Sequence, residues 1–296
     1  TADPTFSVVL IDGVAEVVDR ARAAGFEAHV CDVLDETSFA ARLRGGDAVA
    51  AAVPEKLVPQ VAATATRLGL AHLDFSDPHS TGLLRREASA EGPAVLPGCG
   101  VSPGLVDDVV AELIATFDTV DDLVVRVGAI PREPVGRLGY GDIWDVAGLI
   151  GEYTRPAEAV VDGHATRIPS LGGYETFEWN GRPWEAFVTA DGSRSLMDLC
   201  RGRVRNATFK TIRHPGHLDH MLFLLDELKL RSRLDMLANL LRNALPHSSE
   251  DMVLIHVTAQ GIVDGAPAER TVVREIASDP NEASALACGA ARYAAA

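Results

Sequence analysis

The chain has 296 residues, of which 47% are hydrophobic and 23% charged, so it is long enough for two domains and has an ordinary globular composition. A net charge of −15 argues against nucleic acid or an anionic membrane as a partner, since both require clustered Lys and Arg, and no apolar run reaches membrane-spanning length. The four cysteines are far apart and form no CxxC pair, which is typical of a reducing compartment, so we expect a cytoplasmic protein without structural zinc.

The first hundred residues alternate apolar strands with amphipathic helices. Strands are predicted at 7–12, 27–31, 47–53, 70–75 and 94–96. Helices are predicted at 13–25 and 57–68, and a third between them begins at a cap formed by Asp35 or Thr37. This alternation predicts an α/β fold with a Rossmann-type parallel sheet covered on both faces, in which cofactors bind outside the carboxyl ends of the strands.

Asp12 ends the first of these strands. In a dinucleotide-binding βαβ unit, an acid at such a strand end holds the ribose hydroxyls, about 20 residues after a Gly-rich phosphate loop. Only eleven residues precede Asp12, and none of them is glycine. A doubly wound sheet without its central first strand exposes hydrogen-bonding edges and apolar surface, so we expect that upstream residues precede Thr1 in the natural protein.

A second glycine motif follows the last of these strands, at Pro97–Gly104. Its spacing is GxGxxxG with an internal proline, and the strand after it, 121–127, has no acid at its end. One interpretation is a phosphate loop. We favour a turn in which the chain leaves the nucleotide domain and lines the substrate cleft.

The second half of the sequence has a different pattern. Asn180-Gly181 joins two alternating strands and predicts a hairpin, and 205–212 is a further predicted strand. Helices are predicted at 218–230 and 234–245, and strand 252–259 is expected to pair with strand 270–276. We therefore predict a Rossmann-type nucleotide-binding domain at 1–104, with 277–296 as a candidate return to it. An α+β domain at 105–276 would supply substrate contacts and an oligomer surface.

Arg213-His214-Pro215-Gly216-His217 lies at a predicted strand-to-helix junction. The N–H groups of a helix N-terminus and the guanidinium of Arg213 together suit the carboxylate of an amino acid. His214, His217 and His220 also suggest a metal, but a spacing of three interrupted by Pro-Gly is poor for ligands on one helical face, so we predict no metal.

Glu152-Tyr-Thr-Arg-Pro156 is the second polar cluster. Arg155 is a candidate carboxylate partner, and Tyr153 is a candidate hydrogen-bond donor or acid. The alternative is that Glu152 and Arg155, at i and i+3, form a surface pair of small energetic value.

Several segments together resemble the saccharopine dehydrogenase family, and most closely its lysine 6-dehydrogenase-like branch. The order and spacing of these segments agree with those of the family over roughly residues 5 to 276. The last of them resembles the family's LRYPGH signature, with His214 in place of its tyrosine. The matching segments are 32–35, Val53-Pro54, 72–76, 100–104, 149–157 and 211–217.

The resemblance implies NAD(P)-dependent oxidation at a carbon bearing nitrogen, in a homodimer or homotetramer. Asp12 is followed by Gly13 rather than Arg, which favours NAD over NADP. By resemblance, Asp12 and Asp32 contact the adenosine half of the cofactor, and Val53 and Pro54 contact its nicotinamide side. The implied substrate-binding residues are Gly100, Val101, Pro103, Gly104, Arg155, Arg213 and His214, with Tyr153 and His217 as candidates for the general base.

Three functional hypotheses remain at this stage. The first is an NAD-linked dehydrogenase or imine reductase that acts on an amino acid or amine such as lysine, saccharopine or a carboxylated polyamine. The second is a homologue that has lost the phosphate loop and binds or converts an amino acid without nicotinamide. The third is a purely structural protein, and it assigns no role to Arg155, Arg213 and His214.

Overall fold

The computed structural model describes residues 7–83, 85–89, 92–141, 146–190, 194–246, 248, 250–279 and 284–294. The chain divides into two compact units, Thr1–Cys99 and Gly100–Ala296. The sequence prediction drew this boundary after residue 104, in the same glycine-rich turn.

The first unit contains the five predicted strands, and they form two parallel sheets instead of one. β1 (Val9–Asp12) pairs with β2 (Glu27–Val30), while β3 (Ala48–Ala51), β4 (Ala71–Asp74) and β5 (Val95–Leu96) form a separate sheet. The predicted parallel pairing is confirmed, and the break between β1 and β3 agrees with the expectation that the central first strand of the sheet is absent from this sequence. Among the described residues, no strand bridges β1 and β3.

The helices of the first unit cover its sheets. They are α1 (Ala15–Ala23), α2 (Glu36–Leu43), α3 (Val58–Arg67) and α4 (Pro78–Thr81), with a 3-10 turn at Glu55–Leu57. Asp35, one of the two predicted caps, accepts a hydrogen bond from the Ser38 N–H at 3.2 Å and begins α2. Phe39, Val61 and Ala65 pack with residues of both sheets in one core.

The strand β1 has an exposed apolar surface, as expected for a sheet with an open edge. Val9 and Leu10 are 42% and 38% exposed, and Val8 before them is 45% exposed. Since β1 pairs only with β2 in the part of the chain described, its other edge has unpaired main-chain groups.

An eight-stranded mixed sheet dominates the second unit. Its main path runs β13-β12-β6-β11-β10-β9, and β7 joins it through β11 and pairs with β8. β6 and β11 are parallel, whereas β12 is antiparallel to both β6 and β13. The strands are β6 (Thr119–Pro131), β7 (Ala157–Val161), β8 (His164–Ile168), β9 (Glu175–Trp179), β10 (Arg182–Val188), β11 (Val204–Arg213), β12 (Asp251–Val263) and β13 (Ala266–Ala277).

Two helical layers form two of the hydrophobic cores of the second unit. α5 (Leu105–Ile114), α7 (Arg194–Cys200) and α10 (Ala285–Ala294) pack on β6, β11 and β12. α6 (Val146–Thr154), α8 (His217–Leu222) and α9 (Leu234–Ala244) form the second core with Phe187 of β10. α10 packs against β12 and β13 of this unit, whereas the sequence prediction allowed 277–296 to return to the first domain. Residues 280–283 and 295–296 lie outside the described residues.

Two local predictions from the second half are confirmed and one is wrong. Asn180 and Gly181 both have positive φ, 53° and 70°, and join β9 to β10 as a hairpin. Val253 pairs with Ile276 and Ala259 with Arg270, as expected. The helix predicted at 218–230 is not continuous, because α8 gives way to a π turn at Phe223–Glu227 and a 3-10 turn at Leu230–Ser232.

Candidate active site

The motif at residues 211–217 forms the end of β11 and the start of α8. β11 ends at Arg213, and Gly216 takes a left-handed conformation, with φ 92°, that turns the chain into the helix. His217 is the first helical residue and is 1% exposed. The turn therefore places Arg213 and His217 in the second core, where α6 supplies Glu152 and Tyr153.

Arg213 is a buried cation with several acceptors around it. Its Nε donates to the Tyr153 hydroxyl at 2.8 Å, and its Nη2 donates to Glu152 Oε2 at 3.1 Å. Nη1 donates to Thr211 Oγ1 and to the Ile212 carbonyl at 2.5 and 2.9 Å. The guanidinium also lies 4.9 Å from the centre of the Tyr140 ring. The expected carboxylate partner of Arg213 is therefore supplied within the chain by Glu152.

Tyr153 and His217 form the next link of the same hydrogen-bonded chain. His217 Nδ1 lies 2.8 Å from the Leu138 carbonyl, which only accepts, so we assign the ring proton to Nδ1. Nε2 then accepts from the Tyr153 hydroxyl at 2.9 Å, and that hydroxyl in turn accepts from Arg213. The two candidates for the general base are thus in direct contact.

Burial sets the protonation states of these hydrogen-bonded side chains. Burial and the charge of Arg213 lower the pKa of His217 to about 3, so the imidazole is neutral. Burial raises the pKa of the Tyr153 phenol above its ordinary value, and Arg213 offsets this only in part. For Arg213 burial opposes the charge, but Tyr153, Tyr140 and Glu152 outweigh it and raise the pKa. At neutral pH Arg213 is therefore a guanidinium, Tyr153 a neutral phenol and His217 a neutral imidazole.

His214 faces a different partner. Its Nε2 lies 2.8 Å from the Pro131 carbonyl, and its ring packs on Trp184 with centroids 4.8 Å apart and the planes tilted by 33°. Burial lowers the pKa of His214 despite this hydrogen bond. A Cβ added to Gly139 would stand 2.8 Å from His214 Cβ, so the close approach of that loop requires glycine. The structure places His214 beside β6, not in the Tyr153–His217 chain.

The helix N-terminus at α8 already has an anionic partner, which the sequence analysis did not identify. Glu185 of β10 is 1% exposed and accepts from the Gly216 and Leu218 N–H groups, each at 2.7 Å. It is also the direct cross-strand neighbour of Arg213. The N–H groups that were expected to hold a substrate carboxylate are therefore bound to Glu185. No local signal marks this role, because the partners are 31 and 33 residues apart.

Arg155 lies at the exposed end of α6. Its Nε donates to the Gly151 carbonyl at 3.3 Å, and its own carbonyl accepts from Ser170. The surface pair between Glu152 and Arg155 was the alternative for this cluster. The structure pairs Glu152 with Arg213, and the side chains of that pair are only 14% and 3% exposed.

The residues of the glycine turn at 100–104 open the second unit. The Gly100 carbonyl accepts from the Leu105 N–H at 3.0 Å, and Gly104 precedes α5 with φ 124°. Val101 is 3% exposed and belongs to the core under α5, so its side chain packs and does not line a surface. The peptide bond between Ser102 and Pro103 is cis.

The four predicted cofactor residues lie at carboxyl ends of strands in the first unit. Asp12 is the last residue of β1 and Asp32 follows β2, and they accept from the Val14 and Leu34 N–H groups at 2.8 and 2.9 Å. Val53 and Pro54 follow β3, which belongs to the other sheet. The structure therefore brings the two aspartates to one sheet edge and places the other pair in the second sheet.

His72 and Asp74 form a buried polar pair on β4. The sequence analysis included them only within segment 72–76, which resembles the family. Both side chains are 0% exposed, and His72 Nε2 lies 3.0 Å from Asp74 Oδ2. Burial alone would raise the pKa of Asp74, but hydrogen bonds from His72 and Ser76 outweigh it and lower the pKa. The alternation of His72, Asp74 and Ser76 was the available signal, since every second residue of a strand shares a face.

The fold combines Rossmann-like parallel sheets in the first unit with a larger mixed sheet in the second unit, which contains the Arg213–Tyr153–His217 site. A family model described as the saccharopine dehydrogenase C-terminal domain matches residues 100–295, about two thirds of the chain. The chain belongs to the saccharopine dehydrogenase family.

Two solved structures are similar to this chain over most of its length. The first is a saccharopine dehydrogenase (L-Glu forming) from Saccharomyces cerevisiae in its apo form, with a TM-score of 0.82 and 16% identity over 99% of this chain and 85% of that one. The second is a homospermidine synthase from Legionella pneumophila in complex with NAD, with a TM-score of 0.58 and 13% identity over 94% of this chain and 74% of that one. At these identities the likeness shows the fold.

Among the residues that the structure describes, no helix is long and apolar enough to cross a membrane. No three His, Cys, Asp or Glu side chains among them are grouped to hold a metal ion.

Proposed function

We propose that the protein is an NAD-dependent oxidoreductase that acts on a carbon–nitrogen bond of an amino acid or amine. The observation that carries the proposal is the buried chain from Arg213 through Tyr153 to His217, in a member of the saccharopine dehydrogenase family. Lysine 6-dehydrogenase-like and saccharopine dehydrogenase-like reactions are the specific candidates, and the enzyme is proposed to act as a homodimer or homotetramer in the cytoplasm.

The reaction requires a proton acceptor. An amine donates a hydride from its carbon only after its nitrogen has lost a proton, and the resulting imine reacts with water to give a carbonyl compound and either ammonia, from a primary amine, or a primary amine, from a secondary amine such as saccharopine. Neutral His217 has a lone pair on Nε2, directed at the Tyr153 hydroxyl. Tyr153 can therefore pass its proton to His217 as it takes one from the substrate, and Arg213 at 2.8 Å stabilises the phenol oxygen when charge develops there.

A substrate carboxylate needs a cation that it can reach. Arg213 is buried and paired with Glu152, so we assign the first contact to Arg155, which is exposed at the end of α6. His214 and the turn of Gly100, Pro103 and Gly104 are proposed to complete the substrate pocket, with Val101 fixing that turn from the core.

The residues present fit the ribose portion of a dinucleotide. One carboxylate oxygen of Asp12 accepts a hydrogen bond from the Val14 N–H, and within the described residues the other oxygen has no hydrogen bond. It would hold the ribose hydroxyls, with Asp32 beside it on the adenosine half and Val53 and Pro54 on the nicotinamide side. Bound nicotinamide supplies the hydride acceptor. Asp12 favours NAD over NADP, since its charge repels a 2′-phosphate.

Spectrophotometry of the full natural protein tests the proposal. Lysine, saccharopine and a diamine are offered with NAD at alkaline pH, and we expect one of them to produce reduced nicotinamide. Tyr153→Phe and His217→Gln should each lower the rate about a hundredfold or more, as loss of a general acid–base group does. The matched controls are Tyr174→Phe and His164→Gln, at exposed positions of the same unit.

Two outcomes would reject this function. No reduction with any of the three substrate classes would count against the reaction. Calorimetry that detects no binding of NAD or NADP would favour the homologue that works without nicotinamide.

A further inference from the structure

A groove of about 740 Å³ lies at one end of the large sheet of the second unit. It opens where the end of α5, the start of β6, the turn between β7 and β8 and the turn before β11 converge. Its volume lies within the usual range of small-molecule sites, about 300–1,000 Å³. Val204 begins β11 and Arg213 ends it, so at about 3.3 Å per residue the groove is about 30 Å from Arg213. It is therefore separate from the site proposed above.

The walls of the groove combine apolar and charged side chains. Ile114, Val120 and Val204 provide buried apolar surface, and Phe117 adds an aromatic ring. Two further wall residues, Gly163 and Gly202, have no atom within 4 Å of an added Cβ, so the backbone turns leave open space there. An apolar group of a ligand would thus have both a surface to pack on and room to enter.

Four charged residues line the groove, and two of them already have partners. Arg205 pairs with Asp121 at 3.6 Å, and Asp118 accepts from the Gly265 N–H at 3.1 Å. The side chains of Arg203 and Asp162 form no ion pair or hydrogen bond with any residue that the structure describes. The groove therefore presents one cation, Arg203, and two carboxylates, Asp118 and Asp162, that form no ion pair with any described residue.

We propose that this groove binds the zwitterion of an α-amino acid with an apolar side chain. Arg203 would bind the carboxylate, Asp162 the ammonium group, and the wall of Ile114, Val120 and Val204 the side chain. A simple anion would be repelled by Asp162 and by a chain of net charge −15, and a simple cation would be repelled by Arg203. A ligand that carries both charges matches both walls.

Calorimetry with leucine tests the site, without cofactor or turnover, so its result is independent of the proposed reaction. Two analogues separate the charges: 4-methylpentanoate lacks the ammonium group and leucinamide lacks the carboxylate. We expect saturable binding of leucine, with each analogue about tenfold to a hundredfold weaker, because a charge-assisted hydrogen bond is lost. No saturable binding of leucine, or equal binding of all three compounds, would overturn the proposal.

Matched variants locate the binding. Arg203→Gln and Asp162→Asn should each weaken leucine binding about tenfold or more. Arg201→Gln is the first control, since Arg201 is exposed, pairs with Asp198 and does not line the groove. Asp264→Asn is the second, because Asp264 and Asp162 share the same turn conformation, with φ 51° and 50° before a glycine. If the controls weaken binding as much as the groove variants do, leucine binds elsewhere and the assignment is wrong.

Discussion

The tripeptide Val-Leu-Ile occurs in both units, in strand β1 at residues 9–11 and in strand β12 at 253–255, with opposite environments. Val9 and Leu10 are 42% and 38% exposed, whereas Val253, Leu254 and Ile255 are fully buried. The difference comes from neighbours: β12 lies between β6 and β13, and β1 pairs only with β2 among the described residues. Apolar sequence predicts the strand, but the partner strands decide whether it is buried.

The two units also differ in how they treat charge. In the second unit Arg213, Glu185 and Asp251 are each buried with hydrogen-bond partners. In the first unit the buried polar pair described is His72–Asp74, and ion pairs such as Arg67–Glu36 are exposed. Buried charges become costly when a partner is removed, so substitutions should affect the second unit far more.

Intrinsic fluorescence can separate the two units. All three tryptophans and all four tyrosines of the chain lie after residue 139, and none is in residues 1–99. Tryptophan emission therefore reports the unfolding of the second unit, and circular dichroism adds the first. The following predictions use these two signals.

The largest effect is expected from Arg213→Met. It leaves Glu152 without its buried cation and removes the donor to Tyr153, so the second unit should lose about 3–5 kcal/mol of stability. Chemical denaturation followed by tryptophan fluorescence measures this loss. Arg67→Met, which breaks the exposed pair with Glu36, should cost at most about 1 kcal/mol. Equal losses in the two variants would remove the contrast between the units.

The sequence predicts those features whose cause is local. Asn180-Gly181 predicts its hairpin because two successive positive φ values favour these residues, and Asp35 predicts a helix start because its carboxylate reaches the N–H of a nearby residue. The resemblance identified Tyr153, Arg213 and His217, and the structure brings them together. Their roles in catalysis stay predictions.

The features that were missed depend on residues far apart in sequence. Glu152 meets Arg213 across 61 positions, and Glu185 meets Gly216 across 31, so no periodicity signals either contact. The break of α8 into a π turn also has no helix-breaking residue at Phe223–Glu227.

The second prediction concerns pH. His217 is neutral in the fold with a pKa of about 3, whereas in the unfolded chain it takes up a proton near pH 6.5. Stability of the second unit should therefore fall as the pH drops below about 6.5, at about 1.4 kcal/mol per pH unit for this residue, and level off near pH 3. Burial also lowers the pKa of His214 and of His256, so they add a loss of the same sign.

Asp74 makes the first unit respond differently. Its pKa is lowered in the fold, so its contribution is present above its unfolded pKa of about 3.9 and is lost only below it. Between pH 6 and 4 the denaturant concentration at the fluorescence midpoint should fall. The free energy of unfolding of the second unit that is lost over this range should be about 2.5 kcal/mol smaller in His217→Gln. A pH-independent fluorescence midpoint across this range would contradict a neutral, buried His217.

Glu185→Gln should have the next largest effect. The amide keeps one acceptor but turns N–H donors toward the N–H groups of α8, so a charge-assisted hydrogen bond of about 1.5–3 kcal/mol is lost. The same acid-to-amide change at the exposed cap of α2, Asp35→Asn, should leave stability within about 0.5 kcal/mol, because Asn caps as well as Asp. Denaturation of both variants, by fluorescence and circular dichroism respectively, gives the comparison. A loss at Asp35 as large as that at Glu185 would show that burial is not the cause.

The smallest effect is expected where the two copies of Val-Leu-Ile differ. Val253→Thr places a hydroxyl in a fully buried site and should cost about 1–3 kcal/mol, whereas Val9→Thr at an exposed site should stay within about 0.5 kcal/mol. Both variants make the same change within the same tripeptide, so side-chain propensity cancels between them. Denaturation of the full natural protein is the decisive measurement. If Val9→Thr costs as much as Val253→Thr, then the exposure of the side chain does not explain the difference between the two strands.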